Sequence, residues 1–571
     1  MSATISVPSN LSSPKYGYDI VVATTQSSIN ATLKNFLNSL TEPVVTICYV
    51  ADPSGNPVYI DYSRLKTIAH GSDPFQVPNN ADPNTNPDLK NLFQARFMMG
   101  FCAQLGLPNV AQPWLLPDIV TLGSDTSAIT FKMLCSTFTV VQLEPSSGYS
   151  AASWMNQAQD PNKPWIFTSK VDMRLSTVDQ DAYSHLPAKV QEKIMNLGSE
   201  AFSVQQLLFD FSNASLMTVP TISGVLPGTR LYSVLQQIFL GAYFSEMNKD
   251  STPLLGCSIV AHTPSISTLR PTSLNFEVDP YLNPQGEPYS NPTNKQEQLA
   301  VLCYLCSVDG KPLPPAVAFD WNWVDSSQQL DHSGVVSINR NSLVNYFRTK
   351  LESYVPKNCL CFDVDVWSSD VGLMLNFSAT PIAGQTPTIT TPDSGSTVLS
   401  YSYTRTDESK SHYLGLITDG SLSLTNTYSL TVEFIDKTIV ITQHQVVYGS
   451  ASNTFVCEGN LIDKTIVDTY TLDINADGGL VANLDSKPTD NSDKPSVAAI
   501  INWVSGLNDL ITFIESTLTS VDAELQDLPV STIQDFVFPG GQTFVFKNVG
   551  FSNYQDLVSY ITYADPTPSR G

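Results

Sequence analysis

The chain has 571 residues and carries 53 acidic against 29 basic side chains, a formal net charge of −24. A field of that sign repels nucleic-acid phosphates and anionic membrane surfaces at long range. The length exceeds what one hydrophobic core serves, so two or more domains are expected.

Hydrophobic residues make up 42% of the chain and charged residues 14%, with Ser, Thr, Asn and Pro filling the difference. That balance is typical of β-rich proteins with uncharged polar surfaces. Residues 1–15 read as a flexible leader without the basic start and apolar core of a secretory signal. No run reaches the roughly 20 apolar residues of a membrane span, and a cytoplasmic location is expected. Nine cysteines, an odd number without small-domain spacing, read as reduced thiols. The sequons at Asn10, Asn30, Asn213 and Asn376 are then accidental.

In chain order, Tyr16-Gly17-Tyr18-Asp19 introduces the apolar run Ile20 to Ala23. Ser27 and Ser28 offer caps for a helix to about Leu40, with Ile29, Leu33, Phe36 and Leu37 on one face. Val44 to Val50, the turn Asp52-Pro53-Ser54-Gly55-Asn56 and Val58 to Tyr62 read as a hairpin. A helix is expected over Leu89–Leu105, strands near 129–143 and 165–177, and helices at Leu186–Leu197 and Leu231–Met247. The Pro-, Ser-, Asn- and Tyr-rich stretch 264–296 reads as an excursion or linker.

Near Asn339 a second helix-then-strand unit begins. Leu343, Phe347, Leu351 and Tyr354 line its helix, and Leu360, Phe362, Val364 and Val366 alternate along the strand that follows. Its order echoes residues 28–50 and hints at an internal repeat. Residues 397–484 carry almost continuous strand pattern, a large antiparallel meander. After a linker at Asp485–Pro495, one regular helix is expected over 496–526. Its stripe runs through Val497, Ile500, Ile501, Val504, Leu507, Ile511, Ile514, Leu518, Val521 and Leu525, roughly 40 Å long at 1.5 Å per residue. A final hairpin is expected to join Phe536 and Phe538 to Phe544 and Phe546 across Pro539-Gly540-Gly541.

The candidate chemical constellations have plainer readings. Cys303 and Cys306 have a redox or zinc spacing, but in a strand residues three apart face opposite sides, so core thiols are the better account. Cys359, Cys361, Asp363 and Asp365 share a strand face, yet same-face neighbours stand ~6–7 Å apart and no histidine adjoins them. Asp473, Asn475, Asp477 and Gly478 imitate half a calcium loop, but position twelve is Leu484, leaving an Asp-Gly hairpin turn. The six histidines, His70, His185, His262, His332, His412 and His444, are isolated, and no hydrolase elbow, zinc-protease pair or nucleotide loop occurs. No catalytic residue, metal site or cofactor is therefore assigned, and the protein is read as a non-enzyme.

The opening Tyr16-Gly17-Tyr18-Asp19-Ile20-Val21, the closing Phe538-Pro539-Gly540-Gly541-Gln542-Thr543-Phe544-Val545-Phe546-Lys547-Asn548-Val549, and Asp556-Leu557-Val558 after it resemble the forty-seven-kilodalton proteins of clostridial toxin gene clusters and the OrfX proteins beside them. Phe202 to Asp210 shares the pattern loosely. Those families are similar to the tubular lipid-binding, or TULIP, superfamily. The resemblance implies a β-rich α+β fold in which long curved antiparallel sheets wrap long amphipathic helices. It also implies two such regions, over 16–330 and 331–571. Lipid or another apolar molecule is the expected partner, held against Leu33, Phe36 and Leu37 or against Leu507, Ile511, Ile514 and Leu518. The competing expectation is a toxin companion or assembly subunit that fills the groove with its own side chains and acts through protein contacts.

Overall fold

The computed structural model describes residues 8–563 except 40–43, 110–115, 124–127, 147–150, 161, 178–190, 192–201, 211–220, 237–253, 262–268, 330, 369–374, 412–418, 454, 477, 494–497, 526–535 and 538–543. The fold is β-rich α+β, built from several antiparallel sheets with short helices between them.

At its centre lies a six-stranded sheet in the order Pro271–Asp279, Val301–Val308, Ile20–Thr25, Gly334–Ile338, Leu557–Tyr563, Phe544–Phe551. Both faces are covered. Ile20 and Val22 point into the main core, while Val21 and Ala23 point into a second cluster with Tyr16, Tyr18, Phe319 and Trp323. Burial on both faces explains why Val301–Val308, apolar except for Ser307, is buried at every position. Gly334 must be glycine, because a Cβ there would stand 2.1 Å from the Ala23 carbonyl oxygen. The sheet takes strands from either side of residue 330, where a domain boundary was expected. Of the expected leader, residues 8–15 are described, and Ser9 and Leu11 are buried.

Two helices leave neighbouring strands of this sheet. Gln26–Ser39 follows Ile20–Thr25, and its cap is the Thr25 hydroxyl, which accepts the Ser28 N–H at 3.3 Å. Arg340–Leu351 follows Gly334–Ile338 and is capped by Asn339. Side by side, the two strand–helix units repeat the order that suggested duplication.

A five-stranded sheet runs Pro57–Ile60, Val44–Ala51, Phe97–Leu105, Cys135–Glu144, Ser153–Ala158, with the expected hairpin turning through Asp52 and Gly55. The helix expected over Leu89–Leu105 is a helix only over Pro87–Gln94; Phe97–Leu105 is a strand. Arg96, at φ 59°, breaks the helix, and Phe97, Met99, Phe101 and Ala103 are then buried at the two-residue period of a strand.

A seven-stranded sheet follows the path Phe536–Val537, Leu254–Ala261, Phe202–Asp210, Ile166–Thr177, Ala128–Met133, Val120–Thr121, with Thr221–Ser223 paired beside Ile166–Thr177. The meander is present as Thr397–Ser411, Gly420–Ile435, Thr438–Ser452, Val456–Ile474 and Leu480–Asp490. Its last strand runs to Asp490, into the stretch read as linker, with Pro488 on the edge where its missing N–H is harmless.

Other expectations are corrected. The stretch 264–296 contains the strand Pro271–Asp279. The last hairpin joins Phe544–Phe551 to Leu557–Tyr563, and Phe536–Val537 pairs with Leu254–Ala261. The single helix over 496–526 is interrupted: Ala498–Trp503 gives way to the short strand Val504–Ser505, and Leu507–Thr517 and Asp522–Leu525 follow. Gly506 causes the break. Its φ is 85°, and it lies so close to the Ala379 carbonyl oxygen that a Cβ would stand 2.6 Å away. The helix expected over Leu186–Leu197 and the later part of Leu231–Met247 lie outside the described residues; the described start of the latter is the helix Arg230–Val234.

Candidate functional site

The apolar stripes are packed shut. Leu33 and Leu37 on the N-terminal helix, and Leu507, Ile511, Ile514 and Leu518 near the C-terminus, are 0–9% exposed and belong to one continuous core. The Phe36 side chain lies outside the described residues. Asn30, buried beside Leu33, clamps the helix to the short strand Val120–Thr121. Its Nδ2 donates to the Val120 carbonyl at 2.8 Å, and its Oδ1 accepts the Val120 N–H at 2.9 Å.

An open cleft of about 600 Å³ lies elsewhere, where the five-stranded sheet meets the seven-stranded one. Its floor is apolar: Met155, Trp165, Val225 and Leu231 are each at most 9% exposed. Trp165 is fixed edge-on against Phe138 at 5.1 Å between ring centres. The buried Gln159 holds the approach to it, donating from Nε2 to the Cys135 carbonyl at 2.8 Å and accepting the Trp165 N–H at 3.3 Å. Gly224, at φ 86°, turns the chain over this floor. A Cβ there would stand 2.8 Å from the Pro164 carbonyl oxygen, so only glycine lets Val225 and Leu226 take their places.

The rim is polar. Asn156 is held rigidly, its N–H donating to Asn79 Oδ1 at 2.8 Å and its Nδ2 to the Val77 carbonyl at 2.6 Å. Thr229 caps the helix Arg230–Val234 by accepting the Tyr232 N–H. Asp160 and Lys163 are the charged residues of the lining. At the mouth Leu226 is 76% exposed, apolar surface that a ligand in the cleft would cover.

The remaining constellations separate in space. Cys303 and Cys306 fall on opposite faces of their strand, one in each core cluster, and the Cys303 thiol donates to Asp279 at 3.3 Å. Cys359 and Cys361 are buried while Asp363 and Asp365 are exposed, so the four do not form one ligand set. Among the described residues, no three or more His, Cys, Asp or Glu side chains gather as metal ligands. The Asp473 turn is a tight hairpin, with the Gly478 N–H donating to the Asn475 carbonyl at 3.0 Å. No described helix is long and apolar enough to cross a membrane.

No family model and no curated protein matches the chain. Among solved structures, a lipopolysaccharide binding protein aligns over 96% of this chain and 99% of its own, at 9% identity and a TM-score of 0.26. Superposition that loose does not establish a common fold. Sequence reasoning missed the cleft because its floor residues, Met155, Trp165, Val225 and Leu231, lie on separate segments that only the tertiary fold brings together. Gly224 between Ser223 and Val225 was the one local mark of a close backbone approach.

Proposed function

We propose that the protein is a non-catalytic carrier of an apolar or amphiphilic molecule, such as a lipid, which lays its chain on the floor of the 600 Å³ cleft and its polar end on the rim. The observation that carries this reading is the pairing of a buried apolar floor with the exposed Leu226 at its mouth. The volume falls within the roughly 300–1,000 Å³ of small-molecule sites, and such sites combine apolar walls with a few fixed polar groups. Each methylene buried there contributes about 0.8 kcal/mol, so a chain of several carbons binds without help from charge. Among the described residues of the lining, Asp160, Lys163 and Thr229 carry groups that can act as base or nucleophile, and no histidine, cysteine or serine stands beside them. Native mass spectrometry before and after solvent extraction tests this. A lipid-sized adduct is expected on protein from its native source and lost from Leu226→Asp, while an adduct-free wild type removes the reading.

A second reading is favoured by the closure of the stripes: a structural or accessory protein, with toxin-companion or assembly roles, whose helix–sheet interior is filled by its own side chains. Truncating Leu507, Ile511 and Ile514 together to alanine separates the two roles of that stripe. Each deletion in a packed interior costs about 2–5 kcal/mol, so an interior role predicts a chain that no longer folds. A ligand-lining role predicts a folded protein that has lost its adduct.

A further inference from the structure

A second, smaller cleft of about 240 Å³ opens where the start of the N-terminal helix meets residues 280–297. A tight turn builds one wall. The Asn283 N–H donates to the Glu287 carbonyl at 2.8 Å and the Gly286 N–H to the Asn283 carbonyl at 2.9 Å. This pairs Leu282 with Pro288 and sets the Tyr281 and Tyr289 rings parallel, 3° apart in plane with centres 6.3 Å apart. Asn322 fixes the turn from behind, accepting the Leu282 N–H at 2.7 Å and donating to the Leu282 carbonyl at 2.9 Å.

Opposite, Gln26 is 1% exposed and lines the cleft. Its Oε1 accepts the Leu122 N–H at 2.8 Å, which fixes the amide so that Nε2 is the free end. Among the described residues that Nε2 donates to nothing, so it is available to an acceptor entering the cleft. The Glu297 carboxylate, also in the lining, accepts no hydrogen bond from the described residues, and Glu297 sits on a single helical turn held by the Thr293–Gln296 capping box.

These groups select a chemistry. The Glu297 carboxylate, on a chain of net charge −24, repels phosphates and carboxylates and accepts from hydroxyls. Gln26 Nε2 offers a donor. The parallel tyrosine rings line the cleft with aromatic surface, where a quaternary ammonium is taken by rings placed face-on around it. What remains is a neutral ring with one apolar face and an edge of groups that both donate and accept. We propose that this cleft binds a single neutral pyranose unit packed against the Tyr281–Tyr289 pair, one hydroxyl donating to Glu297 and another oxygen accepting from Gln26. The volume, just under the usual small-ligand range, admits one ring.

Saturation-transfer NMR and titration calorimetry on the full chain test this, with the methyl glycosides of glucose, galactose, mannose and N-acetylglucosamine, and with choline as the cationic alternative. At least one glycoside is expected to bind in the millimolar range. Tyr289→Ala is expected to weaken it by about tenfold or more, equivalent to 1.4 kcal/mol, with an unchanged melting temperature. Glu297→Gln, on an exposed turn, is expected to weaken it by several-fold and serves if the tyrosine variant misfolds. Silence from all four glycosides overturns the proposal, as does binding that survives both substitutions or binding of choline alone. The lipid adduct at the larger cleft is read separately, so either site can fail without the other.

Discussion

Glu277 is 1% exposed on the strand Pro271–Asp279, and one of its carboxylate oxygens meets no partner among the described residues. Burial, and then the nearby Asp279 carboxylate, push its pKa up to about 7. Burial raises Asp279 to about 6, against the hydrogen bonds from Cys303 and Phe319 and the distant charge of Lys15. In the unfolded chain both acids titrate near pH 4. Between there and their folded values the unfolded state gives up protons that the folded state keeps, so stability falls as pH rises through that window and levels off above it. Glu277→Gln removes the larger part of the window. Its melting temperature is expected to exceed the wild type's at about pH 8 and to approach it at about pH 4; melts that stay parallel across that range refute the assignment. The sequence hid this residue. Pro271, Ser273 and Asn275 make the stretch read as a loop, and only pairing with the wholly buried Val301–Val308 shows it to be interior.

At the scale of elements, the apolar pattern was legible and its continuity was not. The described members of the stripe from Ile500 to Leu525 are buried except Ile501, which is half-buried, much as helical spacing implied, yet the stripe is spread over three short helices and a strand. The interruption lies in Gly506, whose left-handed backbone and contact with Ala379 depend on tertiary neighbours that periodicity does not register. Gly506→Ala places a Cβ 2.6 Å from that carbonyl and a side chain at positive φ. It is expected to destabilise by roughly 2 kcal/mol or more, read as a lowered denaturation midpoint at unchanged slope. A straightened 496–526 helix would tolerate or welcome alanine, so an unchanged or raised midpoint decides against the broken arrangement. The same limit applies to Leu89–Leu105, where helical and strand periods share positions and only the turn at Arg96 separates them.

Across the whole molecule, residues 9–11 and the strand Leu557–Tyr563 meet at the central sheet. Asp556, buried just before the strand Leu557–Tyr563, accepts the Leu11 N–H at 2.6 Å, the Arg340 N–H at 2.9 Å and the Ser9 hydroxyl at 2.9 Å. One carboxylate thus joins the leader, the second strand–helix unit and the C-terminal hairpin. The same sheet pairs Ile20–Thr25 with Gly334–Ile338, and the latter with Leu557–Tyr563. Neither 16–330 nor 331–571 contains all of those strands, so each half alone would expose an unpaired apolar edge, a template for aggregation. Either half expressed alone is expected to aggregate, and co-expression is expected to recover a soluble pair. Asp556→Ala, which leaves two buried N–H groups without an acceptor, is expected to cost about 2 kcal/mol or more and to lower a single cooperative thermal transition. Two separate transitions, with only one displaced by the substitution, would mean that the halves fold independently and that the shared sheet does not couple them.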